Sequence, residues 1–174
     1  MCWSILVING TIFVNIKLKI NKMKKIFLMI LFAASGLFMN AQEVKWLTLN
    51  EALALQKKNP KPIFMDVYTD WCGPCKMLDA KTFKEKSFVD LISKNYYAVK
   101  FNAEGNSEVT YLKKKYTNPG FVAGQKGRNG THQFSEFLNL EGYPTMIILD
   151  KKGSISQTLV GFRTADQLLA EIKK

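Results

Sequence analysis

The sequence predicts an α/β domain whose mixed β-sheet is covered by helices on both faces. Two observations carry that prediction. Residues 62–69 and 96–103 are short β-rich runs separated by helical sequence, the pattern of a βαβ unit. Further along, two more β-rich runs flank Lys151-Lys152-Gly153 as a hairpin, and a helix closes the chain.

Taken in order, the first element is a helix. In "TLNEALALQKKNP", Thr48 serves as N-cap with Glu51 three residues on, a capping box, and Asn59-Pro60 ends the helix. "PIFMDVYT" (62–69) is apolar on both faces, as a buried parallel strand should be. A helix is expected from the cysteines through "CKMLDAKTF", and a shorter one over "KSFVDLISKN". "YYAVKFNA" (96–103) reads as the second strand and "SEVTYLKKKY" (107–116) as a helix. Residues 117–130, "TNPGFVAGQKGRNG", are glycine-rich, basic and aperiodic, a loop long enough to be functional or mobile. "HQFSEFLNLEG" suggests another helix. "PTMIILD" and "SISQTLVG" form the hairpin, and "TADQLLAEIKK" carries a second capping box in Thr164 and Gln167. No internal repeat is visible.

The 174 residues suffice for one domain with one substantial core. The formal charge of +11 is spread unevenly. Residues 1–41 hold five lysines and no acid, so residues 42–174 carry +6 from 20 basic and 14 acidic residues. Lys113, Lys114 and Lys115 read as a solvated helix face. With no arginine-rich stretch or repeated aromatic-basic pattern, no nucleic-acid partner is expected.

From Met23, "MKKIFLMILFAASGLFMNAQ" has the layout of a secretory signal peptide. A positive start at Lys24 and Lys25 leads into an apolar run to Met39, then a small-residue site ending at Ala41. Cleavage is expected before Gln42. The run is short for a membrane span, and an uncleaved anchor is the alternative. No cysteine follows it, so a lipoprotein anchor is not expected. Residues 1–22 sit awkwardly ahead of this signal, which points to Met23 as the initiator and removes Cys2 from the mature protein. The expected location is the periplasm or cell envelope, where disulfides are permitted.

Cys72 and Cys75 in "TDWCGPCKM" are then the remaining cysteines. A structural zinc site normally needs four Cys or His ligands, and His132, the one histidine, lies far away in sequence. No metal is expected, and His132 reads as a helix cap or a surface residue. A purely structural staple fails on energetics, because closing a loop of about four residues removes little unfolded-chain entropy. Redox chemistry uses each residue. At a helix start, unpaired N–H groups and the helix dipole favour the thiolate of Cys72, the attacking species. Cys75, three residues on, lies on the same helical face, within reach of a mixed disulfide at Cys72. Gly73 permits a tight turn, Pro74 fits the first helical turn, and Trp71 would shield the pair and offer a partner an apolar surface.

"WCGPCK" resembles the active site of the thioredoxin family at every position. The resemblance runs from Pro62 through Lys173 with one interruption, and includes "GYPT" (142–145) and Gly161. It implies the thioredoxin fold. It also implies that Pro144 follows a cis peptide bond and faces the cysteines, and that Asp66 is the buried carboxylate beneath the second cysteine. A desolvated Asp66 could take the Cys75 proton as that thiol attacks the mixed disulfide. Lys100 matches the lysine near that aspartate. The alternative for Asp66 and Lys100 is ordinary strand positions facing solvent. Tyr143 departs from the family's smaller residue and could narrow partner choice, while its backbone offers an edge for β-addition. Tyr68 stands where a tryptophan is frequent. Residues 104–131 are longer than the family's segment. They could add a helix and a basic loop near the active-site end, or be a tolerated surface excursion, the reading preferred here.

The resemblance implies a thiol-disulfide oxidoreductase needing no cofactor beyond its cysteine pair. The expected function is reduction of disulfides in exported proteins, with a membrane thiol transporter as electron donor and the protein a monomer. The Gly-Pro dipeptide is that of thioredoxin, which sits at about −270 mV, the reducing end of its series. Two alternatives remain: a disulfide oxidase or isomerase, and a binding module whose cysteines form a passive disulfide.

Overall fold

The structure is a computed structural model that describes residues 43–172. The expected extension (1–22), the initiator Met23 and the signal peptide (23–41) lie outside the described residues. In chain order the elements are β1 (Trp46–Leu47), α1 (Leu49–Lys58), β2 (Ile63–Tyr68), α2 (Gly73–Ala80), a 3-10 turn (Thr82–Lys84) and α3 (Lys86–Asn95). There follow β3 (Tyr97–Asn102), β4 (Val109–Tyr111), β5 (Lys114–Tyr116), α4 (Gln133–Leu138), β6 (Thr145–Leu149), β7 (Ile155–Val160) and α5 (Ala165–Ile172).

Five strands form one sheet in the order β1-β3-β2-β6-β7. β1 and β2 run parallel to β3, while β6 is antiparallel to β2 and to β7. This is the expected mixed sheet. Because strand side chains alternate, β2 divides its residues between two apolar layers. Phe64 packs with Leu78 of α2, Phe88 and Ile92 of α3, and Leu168 of α5. Ile63, Met65 and Val67 pack with Ala52 of α1, Phe101 of β3 and Phe134 of α4 on the other face. Phe64 has no exposed surface, so Phe64→Ala would cost about 3–5 kcal/mol in lost burial and cavity.

The two capping boxes form as read. Thr48 Oγ1 accepts the Glu51 N–H at 3.3 Å while Glu51 Oε2 accepts the Thr48 N–H at 2.8 Å. Gln167 Oε1 accepts the Thr164 N–H at 3.0 Å and Thr164 Oγ1 accepts that of Gln167. Gly153 in the β6–β7 turn has φ 84°, a left-handed value that glycine adopts freely.

Three expectations are corrected. Residues 107–116 are not a helix but the antiparallel hairpin β4–β5, with Val109 opposite Tyr116. Val109, Tyr111 and Tyr116 are buried against the α1–α4 face, and a helix could not turn all three inward with Thr110 and Lys115 outward. The helix from the cysteines ends at Ala80 and gives way to the 3-10 turn, and α4 stops at Leu138 because Asn139 turns left-handed at φ 48°. β1 was not foreseen, being two residues long. It caps the edge of β3, pairing Trp46 with Ala98.

The topology brings two loops to one end of the sheet. β2 runs toward that end and β6 runs away from it, with Val67 opposite Thr145. The cysteine loop after Tyr68 and the proline loop before Thr145 therefore leave adjacent strand ends.

Candidate active site

Cys72 is the N-cap of α2, and its Sγ accepts the N–H of Cys75 at 3.1 Å. A sulfur at this position receives one of the four N–H groups that a helix start leaves unpaired, and it lies at the positive end of the dipole. Pro74 sits in the first turn, where no N–H is needed. Cys72 and Cys75 are joined by a disulfide, and each residue is only 2% exposed. The tight-turn role expected of Gly73 is not what the backbone uses. Its φ is not left-handed, and a Cβ there would meet nothing within 4 Å. Glycine instead leaves the backbone beside the sulfurs uncovered.

The proline loop leaves the neighbouring strand end and reaches the residue before this helix start through the ring of Tyr143 on Trp71. The Tyr143–Pro144 bond is cis. The Pro144 carbonyl accepts the N–H of Gly161 at 2.8 Å, and Gly161 at φ 90° holds a conformation that a side chain would strain. The Tyr143 ring meets the Trp71 ring edge-on at 6.0 Å between centroids. Trp71 remains 37% exposed, an apolar rim beside the disulfide.

Beneath α2 stands Asp66. In β2 it shares the face of Phe64, the face that α2 covers, and in the sheet register it lies directly opposite Lys100 of β3. Asp66 is fully buried, and Lys100 Nζ donates to its Oδ2 at 3.1 Å while Oδ1 has no partner. Burial pushes the Asp66 carboxyl up to about 6, against the opposing pull of the Lys100 ammonium. The solvent-facing alternative for Asp66 is excluded.

Lys100 is caged. Its ammonium lies 4.8 Å from the Tyr68 ring centroid, 5.2 Å from Trp46 and 5.5 Å from Phe83, and it donates a second bond to Asp79 Oδ1. Burial works against its charge, but Asp66 and Asp79 outweigh that and raise its pKa. Tyr68 thus contributes one wall of this cage.

Asp79 and Glu104 were not singled out in the sequence. Asp79 sits four residues after Cys75, on the same side of α2, and is 46% exposed, so Lys100 links the buried carboxylate to one at the surface. That i, i+4 spacing was the available signal. Glu104 Oε2 accepts the indole N–H of Trp71 at 2.9 Å and the backbone N–H of Asn129 at 2.8 Å. The neighbouring Arg128 guanidinium lies 4.6 Å from the Trp71 ring centroid. Residues 117–130 are a loop, as read, but more than a surface excursion: they close back onto the cysteine rim. Gly130 allows this closure, since a Cβ there would lie 2.3 Å from the Gly120 carbonyl oxygen.

His132 is a cap, as read, but a buried one. It is the N-cap of α4, where its Nδ1 accepts the Phe134 N–H at 3.0 Å, and its Nε2 donates to the Ser107 carbonyl at 2.7 Å. Among the described residues, no helix is long and apolar enough to cross a membrane.

The family model for a thioredoxin-like domain matches residues 49–174. The chain belongs to the thioredoxin-like family. Within that family it is 27% identical over 128 residues to a thiol:disulfide interchange protein, DsbD, of Pectobacterium atrosepticum. That match covers 72% of this chain and 18% of the relative. It is 29% identical over 123 residues to the thioredoxin-like protein YneN of Bacillus subtilis, covering 68% of this chain and 67% of that one. Among solved structures, a thioredoxin from Thermus thermophilus superposes with a TM-score of 0.56 at 16% identity, covering 75% of this chain and 85% of that one. A putative disulphide-isomerase from Bacteroides thetaiotaomicron gives 0.55 at 24% identity, covering 77% and 93%. These two likenesses establish the fold. The chain spans under a fifth of the length of the DsbD proteins it matches.

Proposed function

We propose that the protein is a thiol-disulfide oxidoreductase that reduces disulfides in exported polypeptides. The observation that carries this reading is Cys72 Sγ at the start of α2, accepting the Cys75 N–H, with the partner sulfur three residues on. In the reduced protein the same N–H and helix dipole favour a Cys72 thiolate. That thiolate attacks one sulfur of the client disulfide, and the client's other sulfur leaves as a thiolate and takes a proton from solvent. The Cys75 thiol, losing its proton to Asp66, then attacks Cys72 Sγ and breaks its bond to the client sulfur. That sulfur leaves as a thiolate and takes a proton from solvent while Asp66 releases its own. The client leaves with two thiols, and the Cys72–Cys75 disulfide holds the two electrons' worth of oxidation.

Asp66 suits the proton step because its carboxyl, pushed up to about 6, is poised near neutral pH while its unpaired Oδ1 can receive a proton. Lys100 and Asp79 position it and connect it to solvent. Trp71, Gly73 and Pro74 form one lip of the client site and Tyr143 and Pro144 the other, where an extended client can pair with the loop backbone. No further cofactor enters the cycle. The disulfide must be reduced again outside the cytoplasm, which calls for a membrane thiol transporter as donor. The likeness to thiol:disulfide interchange proteins supports that partner class. The protein acts as a monomer, guided to the envelope by residues 23–41, which are cleaved after Ala41.

Insulin reduction driven by dithiothreitol tests the proposal. Wild type should accelerate precipitation of the insulin B chain, and Cys72→Ser should fall to the rate of dithiothreitol alone. Equal rates for the two proteins would leave a binding module instead. An equilibrium potential at the strongly oxidising end of the series would replace reductase by oxidase or isomerase.

A further inference from the structure

The loop over the redox site presents a charge that the two-cysteine cycle does not use. Arg128 is exposed, its guanidinium lies over the Trp71 ring at 4.6 Å, and it pairs with no carboxylate among the described residues. Its placement is built from several sides. Asn129, the next residue, gives its N–H to the same Glu104 oxygen that holds the Trp71 indole. The Asn129 side chain ties both ways to Val122, and the Arg128 carbonyl accepts from Gln125 Nε2 at 2.9 Å. Trp71 is also braced by the edge-on Tyr143 ring. The loop thus fixes the guanidinium above the residue that precedes Cys72.

We propose that Arg128 selects clients, favouring polypeptides that carry an aspartate or glutamate beside the disulfide to be reduced. This rests on the reductase reading above. A guanidinium lying on an aromatic ring keeps its edge N–H groups free in the plane, and that fork matches a carboxylate bidentately. Any client strand that reaches Cys72 passes the Trp71 rim, so its flanking side chains meet Arg128 first. Glu104 is the opposing charge nearby, but its Oε2 accepts from both the Trp71 indole and the Asn129 amide, so it serves the loop. Stacking alone would make Arg128 a loop anchor, a role that has no preference for client charge.

Three disulfide peptides that differ only in Asp, Asn or Lys beside one cysteine separate these roles, with dithiothreitol as reductant and kcat/KM as readout. Wild type should reduce the Asp peptide about tenfold better than the Lys peptide at low salt, with the ratio shrinking toward about twofold at high salt. Arg128→Gln should bring the ratio close to one, and Arg128→Glu should invert it. Ratios between peptides cancel any loss of folded protein, so a destabilised variant still reports. A wild-type ratio of one, or a ratio that Arg128→Gln leaves unchanged, overturns the proposal while the reductase reading stands. If wild type reduces none of the peptides and no insulin, both fall together.

Discussion

Two titratable side chains, one on each face of the sheet, are buried without exposed surface: Asp66 under α2 and His132 at the start of α4. They are treated in opposite ways. His132 has a partner on each ring nitrogen, one accepting and one donating, which fixes a neutral imidazole. Burial lowers its pKa, so it stays neutral. Asp66 has one oxygen paired and one orphaned, and burial pushes its carboxyl up to about 6, where its charge can change near neutral pH. A fully satisfied buried group holds structure together. A half-satisfied one costs stability, and in the proposed cycle it is the group that changes protonation.

The largest effect should come from the satisfied side. His132→Ala leaves the Phe134 amide and Ser107 carbonyl unpaired in a void, and should cost about 3 kcal/mol in urea unfolding. Its insulin reduction per folded molecule should stay at the wild-type rate; a collapse of activity in folded protein would end the contrast. Asp66→Asn should do the reverse, slowing turnover about 100-fold near neutral pH by removing the proposed proton acceptor. The same variant should be more stable than wild type by about 2 kcal/mol at pH 7.5, since it no longer buries a charge. Folded Asp66 binds its proton up to about pH 6 where the unfolded group releases it near 3.8, so wild-type stability should fall as pH rises across that interval. The His132 contribution has the opposite slope. Its folded pKa is depressed below 6.5, so stability should be lost as pH drops below about 6.5. The smallest effect belongs to Asp79→Asn. Removing a carboxylate that raises the Asp66 pKa should move the acid limb of the activity profile to lower pH. An unmoved profile would disconnect the surface carboxylate from the buried one.

Much of this arrangement was legible in the sequence because its signals are local. Cys72, Pro74 and Cys75 announce a helix start, and both capping boxes formed as spaced. Asp66 was placed by the family resemblance, and the apolar residues on either side of it in "IFMDVY" favoured a buried carboxylate over a solvent-facing strand position. The hairpin β4–β5 escaped because its turn is Leu112-Lys113, both with positive φ, where glycine or asparagine would ordinarily signal the reversal. Val109, Leu112 and Tyr116 also fall at helical spacing, which competes with the two-residue alternation of so short a pair. Glu104 and Arg128 escaped for another reason. They reach Trp71 only through tertiary closure of a loop without periodicity, and no spacing within the sequence links them to Cys72.

The division of labour between the two sulfurs is the centre of the account, and mixed-disulfide capture measures it directly. Reduced Cys75→Ser and reduced Cys72→Ser proteins are each mixed with oxidised insulin, and the adducts are weighed by mass spectrometry. Cys75→Ser should accumulate insulin bound through Cys72, and Cys72→Ser should accumulate none. Capture by Cys75 alone, or equal capture by both, would contradict the assignment of attack to Cys72 and resolution to Cys75.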